Sequence, residues 1–166
     1  MEIEKPSSRV DVEAALKKNR DLTDLDLSKL ELSGIKLLGF NGEKLNLSQA
    51  DLTGAVIAGA NLAGANLADA RLTGAWLAGL NLADADMTGA DLTETQWLGV
   101  NVKGADFTGA NTTGARSTGV SWSGAKASPE ETPVPLLAFP VWLPALLFGM
   151  VALVLILIIN KRRTQE

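Results

Sequence analysis

The residues with the greatest capacity for chemistry in this chain are carboxylates that recur along a repeating pattern. Asp86 and Asp106 hold equivalent places in that pattern. General acid–base catalysis needs a concave, water-poor site that separates the pKa values of two carboxylates. The repeat instead predicts that these side chains stack on an open, convex face. We therefore interpret them as a solvated polar ladder and not as a catalytic pair.

Other kinds of chemical site have no better support from the residue types. The chain contains no His and no Cys, which excludes disulfides, thiolate chemistry and the commonest zinc ligands. Its richness in Gly and Asp is shared by calcium-binding β-rolls, but their repeat is a nonapeptide with a different pattern. Residues 119–126 approach the sequence of a phosphate-binding loop, with an extra Ala before Lys126. We predict no catalytic residue, no cofactor and no metal, and hence no enzyme.

The element that must position all these side chains is a repeat with a period of five residues, from Arg20 to about Gly124. Most units are centred on an aliphatic residue such as Leu62 or Leu67, and the residue two places earlier is usually Ala. A fixed period indicates a solenoid in which each unit packs on its neighbours. Because this period fits neither a helix nor strict alternation, each unit must turn a corner, where Gly or Asp accepts the backbone angles.

The unit has the consensus A-(D/N)-L-x-x, as in residues 60–64, 65–69 and 90–94. The sequence thereby resembles the pentapeptide-repeat family. The resemblance implies an all-β fold, a right-handed quadrilateral β-solenoid with four pentapeptides in each coil. The 21 units counted along residues 20–124 would then form about five coils.

Three of the four faces of this solenoid are predicted to be polar, because residues twenty positions apart stack on one face. Stacked Asn side chains can form hydrogen-bonded ladders along such a column. The residues before the unit centres read Asp21, Asn41, Asn61, Asn81, Asn101, Ser121 on the first face; Asp26, Asn46, Asn66, Asp86, Asp106 on the second; and Glu31, Asp51, Arg71, Asp91, Asn111 on the third.

The fourth face is predicted to expose apolar residues. They are Leu38, Val56, Ala58, Trp76, Ala78 and Leu98, with Lys36 and Arg116 beside them at the two ends. We call these six residues the apolar face. A contiguous exposed apolar patch is typical of an interaction site, and Trp is a favoured hot-spot residue. The alternative is that scattered apolar surface residues here reflect drift of the repeat. We predict an interaction face for a protein partner, a second copy or the membrane surface.

Composition divides the chain into five segments. They are an N-terminal capping segment 1–19 with a short helix opened by Ser8 and Asp11, the solenoid 20–125, a Pro-containing linker 126–140, a transmembrane helix 141–160 and a basic tail 161–166. The capping helix would cover the strand edges of the first coil. A partner-binding helix is the alternative for the same segment.

The transmembrane helix is predicted from a long apolar run. Residues 141–159 contain no charged side chain and would span about 28 Å as a helix. Trp142 suits one membrane interface, and Lys161, Arg162 and Arg163 anchor the other end. The sequence thus predicts a single-pass membrane protein whose first partner is the lipid bilayer, through residues 141–160.

The side of the membrane on which the solenoid lies is left open by the sequence. The positive-inside rule places Lys161 to Arg163 in the cytoplasm and the solenoid outside. The N-terminus has no features of a secretory signal peptide, and tail-anchored insertion would keep the solenoid cytoplasmic. The C-terminal end also resembles bacterial cell-wall sorting signals, without their LPxTG motif. We favour the cytoplasmic orientation.

These features predict a non-enzymatic, membrane-anchored scaffold that presents solenoid faces to an unidentified protein partner or to a second copy. The resemblance offers an alternative, because some pentapeptide-repeat proteins mimic DNA and bind type II topoisomerases. Residues 20–124 carry twelve acidic and seven basic residues, which is sparse negative charge for a DNA mimic and no basic footprint for nucleic acid. A secreted or surface-anchored repeat protein is the remaining alternative.

Overall fold

The computed structural model describes residues 6–126, 128–129 and 132–135. The helix α1 (Arg9–Lys18) is followed by the strands β1 (Lys36–Leu38), β2 (Val56–Ala58), β3 (Trp76–Ala78), β4 (Gln96–Leu98) and β5 (Arg116–Thr118), by a short 3-10 helix (Trp122–Gly124) and by β6 (Val134–Pro135). The strands form one sheet in the order β1 to β6.

Each strand pairs in parallel with the strand that lies twenty residues further along the chain, from β1 to β5. Leu37 is opposite Ile57, which is opposite Leu77, and the same register continues to Trp97 and Ser117. Isolated parallel bridges on the three other faces keep the same spacing, as in Asn61 with Asn81. The prediction of a parallel β-solenoid of about five coils, with one short N-terminal helix, is confirmed.

The two inward positions of each unit form the core. The unit centres and the Ala positions are almost completely buried, and Leu62, Leu67, Ala65 and Ala70 are each no more than 1% exposed. Backbone hydrogen bonds between coils run the length of the described solenoid, for example from the Leu62 N–H to the Asn81 carbonyl at 2.7 Å. The core therefore follows directly from the five-residue period.

One unit has Gly42 where the others have an aliphatic centre. Phe40, two residues earlier, is 3% exposed and fills the vacated space. A Cβ atom on residue 42 would lie 2.7 Å from Phe40 Cε2 and 3.0 Å from Leu62 Cδ2. Gly42 does not have a positive φ, so its role is to leave room for the Phe40 ring.

We expect Gly42→Ala to destabilise the protein by about 1–3 kcal/mol, because the added methyl group overpacks the site against Phe40. Chemical unfolding followed by circular dichroism would measure the loss. The double variant Gly42→Ala with Phe40→Leu should recover part of it, since the smaller side chain makes room. Equal stability of Gly42→Ala and the wild type would contradict this explanation of the glycine.

Helix α1 packs on the first coil. Ser8 caps it by accepting a hydrogen bond from the Asp11 backbone N–H, and Val12 is fully buried. The Arg9 guanidinium donates to the Ser33 carbonyl at 2.6 Å and, at 3.4 Å, to the Gly34 carbonyl. The helix thus covers apolar side chains and satisfies backbone oxygen atoms at this end of the solenoid.

Three aromatic side chains close the other end. The rings of Trp97, Phe107 and Trp122 pack edge to face, with centroids 5.3–6.1 Å apart. The buried indole N–H of Trp97 donates to Thr95 Oγ1 at 2.8 Å, and that hydroxyl donates to the Leu92 carbonyl at 2.6 Å. The cluster replaces the aliphatic centres that the last coil lacks.

Within the part of the chain that the structure describes, no helix has the length and apolarity needed to cross a membrane. The predicted transmembrane helix 141–160 and its flanking residues Trp142, Lys161, Arg162 and Arg163 lie outside the described residues.

Candidate interaction face

Local hydrogen bonding distinguishes the three polar faces of the described solenoid from the face that forms regular strands. On the polar faces, an Asp or Asn side chain accepts a hydrogen bond from the backbone N–H two residues later and closes a turn. Asp86 Oδ1 accepts from the Thr88 N–H at 3.0 Å, and Asn66 Oδ1 accepts from the Ala68 N–H at 2.9 Å. The fourth face has Lys, Val, Trp, Gln and Arg at the equivalent position, none of which favours that turn.

The structure brings all six residues of the apolar face together on the outer surface of the sheet. Val56 and Trp76 are register partners in one column, and Leu38, Ala58, Ala78 and Leu98 stack in the other. Leu38, Trp76 and Leu98 are 49%, 46% and 46% exposed, and the other three residues are half-buried. The outward residues of β1 to β5 form a strip along the solenoid. The Trp76 side chain lies at the centre of this strip and is accessible.

The remaining outward residues of β1 to β5 are Lys36, Gln96, Arg116 and Thr118, and Val134 of β6 lies exposed beyond Arg116. None of the ten outward residues of β1 to β5 is acidic, although acids outnumber bases in the solenoid as a whole. Lys36 and Arg116 are exposed and stand at opposite ends of the strip. The face thus combines an apolar centre with positive ends.

The corners on both sides of this sheet carry almost no side chains. Every corner residue from Asp24 to Gly119 has a positive φ. At corners far from the face, residues with side chains accept that conformation, as Asp24, Lys44 and Asp69 do. Glycine occupies the corners beside the face, at Gly34, Gly54, Gly74 and Gly114 on one side and Gly39, Gly59, Gly79, Gly99 and Gly119 on the other, with Glu94 as the exception. The strip is therefore flanked by bare backbone.

A shallow depression of about 320 Å³ adjoins the β1 end of the strip. It is lined by Arg9, Glu13, Leu16, Lys17, Arg20, Gly34, Lys36 and Leu38. Glu13 is paired with Arg9 at 2.9 Å, so the lining retains an excess of positive charge. Sequence patterns do not reveal this site, because α1 and the first coil meet only in the folded chain.

The first polar face forms the predicted ladder of Asn side chains. Asn61, Asn81 and Asn101 each donate from Nδ2 to the Oδ1 atom of the Asn one coil earlier, at 2.8–3.1 Å. Arg71 lies 3.8 Å from Asp51 Oδ2 in its column. These side chains satisfy one another along the column, which is the arrangement of a structural surface. Among the described residues, no group of acidic side chains is placed to hold a metal ion.

Threonine hydroxyls lower the pKa of several ladder carboxylates. The Thr108 hydroxyl donates to Asp106 Oδ1 at 2.6 Å and its backbone N–H donates at 3.0 Å, so the pKa of Asp106 lies below its usual value. Lys126, 3.4 Å from Asp106 Oδ2, acts in the same direction on this pKa. The Thr23 hydroxyl and N–H lower the pKa of Asp21 in the same way.

We expect Thr108→Val to raise the pKa of Asp106, as measured by NMR titration of the carboxyl carbon. Because the folded pKa of Asp106 is depressed, its contribution to stability is present above the unfolded value of about 3.9 and is lost as the pH falls through the folded pKa. The variant should therefore lose less stability than the wild type on acidification below about pH 4. Thr113→Val is the matched control, since Thr113 donates to the non-titrating Asn111 and its removal should leave the pH dependence unchanged.

The sheet continues beyond the repeats into the segment predicted as a linker. Val134 pairs with Arg116, and the Val134 N–H donates to the Ala115 carbonyl at 3.2 Å. Ser117 Oγ donates to the Pro133 carbonyl at 3.2 Å and accepts from the Trp122 indole N–H at 3.3 Å. The Ser117 hydroxyl therefore connects β6 to the aromatic cluster.

The architecture defines the class of the protein as a parallel β-solenoid. The family model for pentapeptide repeats (8 copies) matches residues 46–82, 65–96 and 85–120. The chain belongs to the pentapeptide-repeat family. A comparison with curated proteins gives no significant match.

Solved structures of pentapeptide-repeat proteins are similar to this chain. Rfr23 from the cyanobacterium Cyanothece 51142 is 20% identical, with 76% of this chain and 99% of that chain covered and a TM-score of 0.52, a likeness that shows the fold. A protein from the Arabidopsis thaliana thylakoid lumen is 30% identical over 71% of this chain and 69% of its own, with a TM-score of 0.37.

HetL from Nostoc sp. strain PCC 7120, described as involved in heterocyst differentiation regulation, is 26% identical with a TM-score of 0.41. The match covers 63% of this chain and spans less than half of HetL, 46% of its length. None of these three descriptions names an enzymatic activity.

Proposed function

We propose that the protein is a non-enzymatic scaffold that is anchored in a membrane by residues 141–160 and binds a protein partner through the apolar face. The observation that carries the proposal is the exposed Trp76 at the centre of the strip. The outward residues of this strip include no acidic side chain, whereas the other three faces of the solenoid are polar. Exposed apolar area in contact with water is unfavourable, at roughly 25 cal/mol per Å², and a partner that covers it gains that free energy. The polar faces offer no comparable gain.

The proposed anchor rests on the sequence, in which only a short stretch of chain separates the apolar run from the solenoid. The last described strand ends at Pro135, and the apolar run begins at Val141. The five residues between them, 136–140, can span at most about 18 Å. An anchored solenoid would therefore stay close to the bilayer surface, where a partner in or on the same membrane meets it at a high effective concentration.

Cysteine labelling tests the anchor, since the natural chain has no Cys. We expect a Cys at position 164 to react with a membrane-impermeant maleimide on intact cells and a Cys at the exposed Ser123 to react only after lysis. That pattern would place the two positions on opposite sides, with the solenoid in the cytoplasm.

The reverse pattern would keep the anchor and place the solenoid outside. Protection of both positions, or a soluble full-length protein after fractionation, would contradict the membrane anchor. A variant that ends at residue 136 is the control for fractionation, because it retains every described contact of the solenoid and lacks the apolar run.

A further inference from the structure

We infer that the partner segment bound by the apolar face is a single amphipathic helix with acidic residues towards its ends. This inference rests on the proposed function, because it names the chemistry of the partner for the same face. It is carried by the dimensions of the strip, its charge distribution and the bare corners beside it.

The dimensions of the strip fit one helix. Five strands at a spacing of about 4.8 Å give a length of about 19 Å, and three residues per strand give a width of about 10 Å. A helix with its side chains is about 10–12 Å in diameter, and about 13 residues would cover 19 Å. A helix laid along the stacked strands would contact Leu38, Trp76 and Leu98, the three most exposed apolar side chains of the face.

The bare corners allow such a helix to approach. Side chains at the corners on the two sides of the strip would project beyond the sheet and obstruct a helix. Charged side chains do occupy such positions at corners away from the strip, at Asp24, Lys44 and Asp69. Glycine removes these side chains along the strip except at Glu94. A cylinder wider than the strands can therefore lie on the sheet, with side chains at its edges at Glu94 and, beside Gly39, at Arg20.

The charges select an acidic partner. Lys36 stands at one end of the strip beside the depression to which Lys17 and Arg20 contribute, and Arg116 stands at the other end. Acidic residues at both ends of the bound segment would complement these charges, and a basic segment would be repelled. The β1 end carries more basic side chains, so it contributes the larger part of this selectivity.

The same observations disfavour a second copy as the occupant of this face. In an antiparallel pair centred on Trp76, Lys36 of one copy would lie opposite Arg116 of the other, and in a parallel pair each base would lie near its own equivalent. The strip covers about 200 Å², whereas a stable interface buries about 800 Å² on each partner. Its size suits a short segment bound weakly, with the membrane tether raising the effective concentration.

Two designed peptides test the inference with the full-length protein in nanodiscs of zwitterionic lipid. Both are helical fifteen-residue peptides with the same leucine stripe, and they differ only in having Glu or Lys at the two ends. We expect fluorescence anisotropy to show at least tenfold tighter binding of the Glu peptide. Trp76→Asp should abolish the binding of both peptides.

Charge reversal provides the decisive variant. Arg20→Glu with Lys36→Glu should invert the preference towards the Lys peptide, a gain that misfolding cannot produce. Equal binding of the two peptides, or a preference that charge reversal leaves unchanged, would overturn the inference. Loss of Glu-peptide binding in nanodiscs that contain anionic lipid would also overturn it, because the membrane surface would then be the occupant of the face.

Different experimental results would contradict the inference and the proposed function. If neither peptide binds but a photo-crosslinker on the face still captures a protein in cells, the scaffold function stands and the partner segment is not an acidic-ended helix. If the peptides behave as expected but no cellular contact depends on Trp76, the proposed function fails.

Discussion

Replacing Trp76 with Asp is expected to abolish association with the protein partner and to leave the solenoid folded. Trp76 is 46% exposed, so the substitution removes little core packing. A hot-spot residue at the centre of an interface contributes at least about 2 kcal/mol, and a carboxylate introduced there would in addition be desolvated in the complex. We therefore expect affinity to fall by well over tenfold.

A photo-crosslinking amino acid at Ala78, the neighbour of Trp76 on the face, would measure this loss in cells. The crosslinked species should disappear in the Trp76→Asp background while the circular dichroism spectrum of the purified protein is retained. Ala68→Asp is the matched control, because it adds one negative charge at an outward position of a polar face. Persistence of the crosslink in Trp76→Asp, or its loss in Ala68→Asp, would contradict the assignment of the apolar face.

Replacing Trp97 with Ala is expected to cause a large loss of stability, greater than that of Gly42→Ala. Trp97 is fully buried and packs against Phe107 and Trp122. Truncation of a buried Trp costs about 3–5 kcal/mol, and the Thr95 hydroxyl also loses the indole N–H that donates to it. Chemical unfolding would measure the loss. Trp76→Ala is the matched control, since the same substitution at an exposed site should change stability little.

The loss is expected to concentrate at the C-terminal end of the solenoid. Each coil contacts mainly its neighbours, so stability in a solenoid is approximately a sum of local and nearest-neighbour contributions. Hydrogen exchange should therefore accelerate at the backbone N–H groups of Asp106 and Asn111 far more than at those of Asn46 and Asn61. Uniform acceleration along the chain would show instead that the solenoid unfolds as one cooperative unit.

Most of the fold could be predicted from the sequence because the solenoid turns a long-range contact into a fixed offset in the chain. Once the five-residue period is recognised and the resemblance to the pentapeptide-repeat family implies four units in each coil, the residue opposite Trp76 must be Val56 on one side and Gln96 on the other, as the register shows. The buried positions follow from the same period. The composition of the apolar face could therefore be read from the sequence, although its function as an interaction face stays a prediction.

The compensation at Gly42 could be predicted for the same reason. Phe40 and Gly42 are close in the chain, and both project into the coil at consecutive inward positions. A large side chain beside a missing one is a local pattern. The structure adds only the distance, 2.7 Å from a hypothetical Cβ on residue 42 to the Phe40 ring. From this distance we predict the loss of folding stability in Gly42→Ala.

The sequence predicts that a capping helix covers the first coil, but the individual contacts that close the two ends of the solenoid were decided by the tertiary structure. The contact of Arg9 with the Ser33 carbonyl and the bond from Ser117 to the Pro133 carbonyl both join the repeats to segments outside them. No period relates such residues, so the sequence has no offset from which to predict their meeting. The basic depression beside Leu38 and the continuation of the sheet into β6 arise from these contacts. Local repetition determined the coils and their faces, while the packing of non-repeating segments determined how each end is closed.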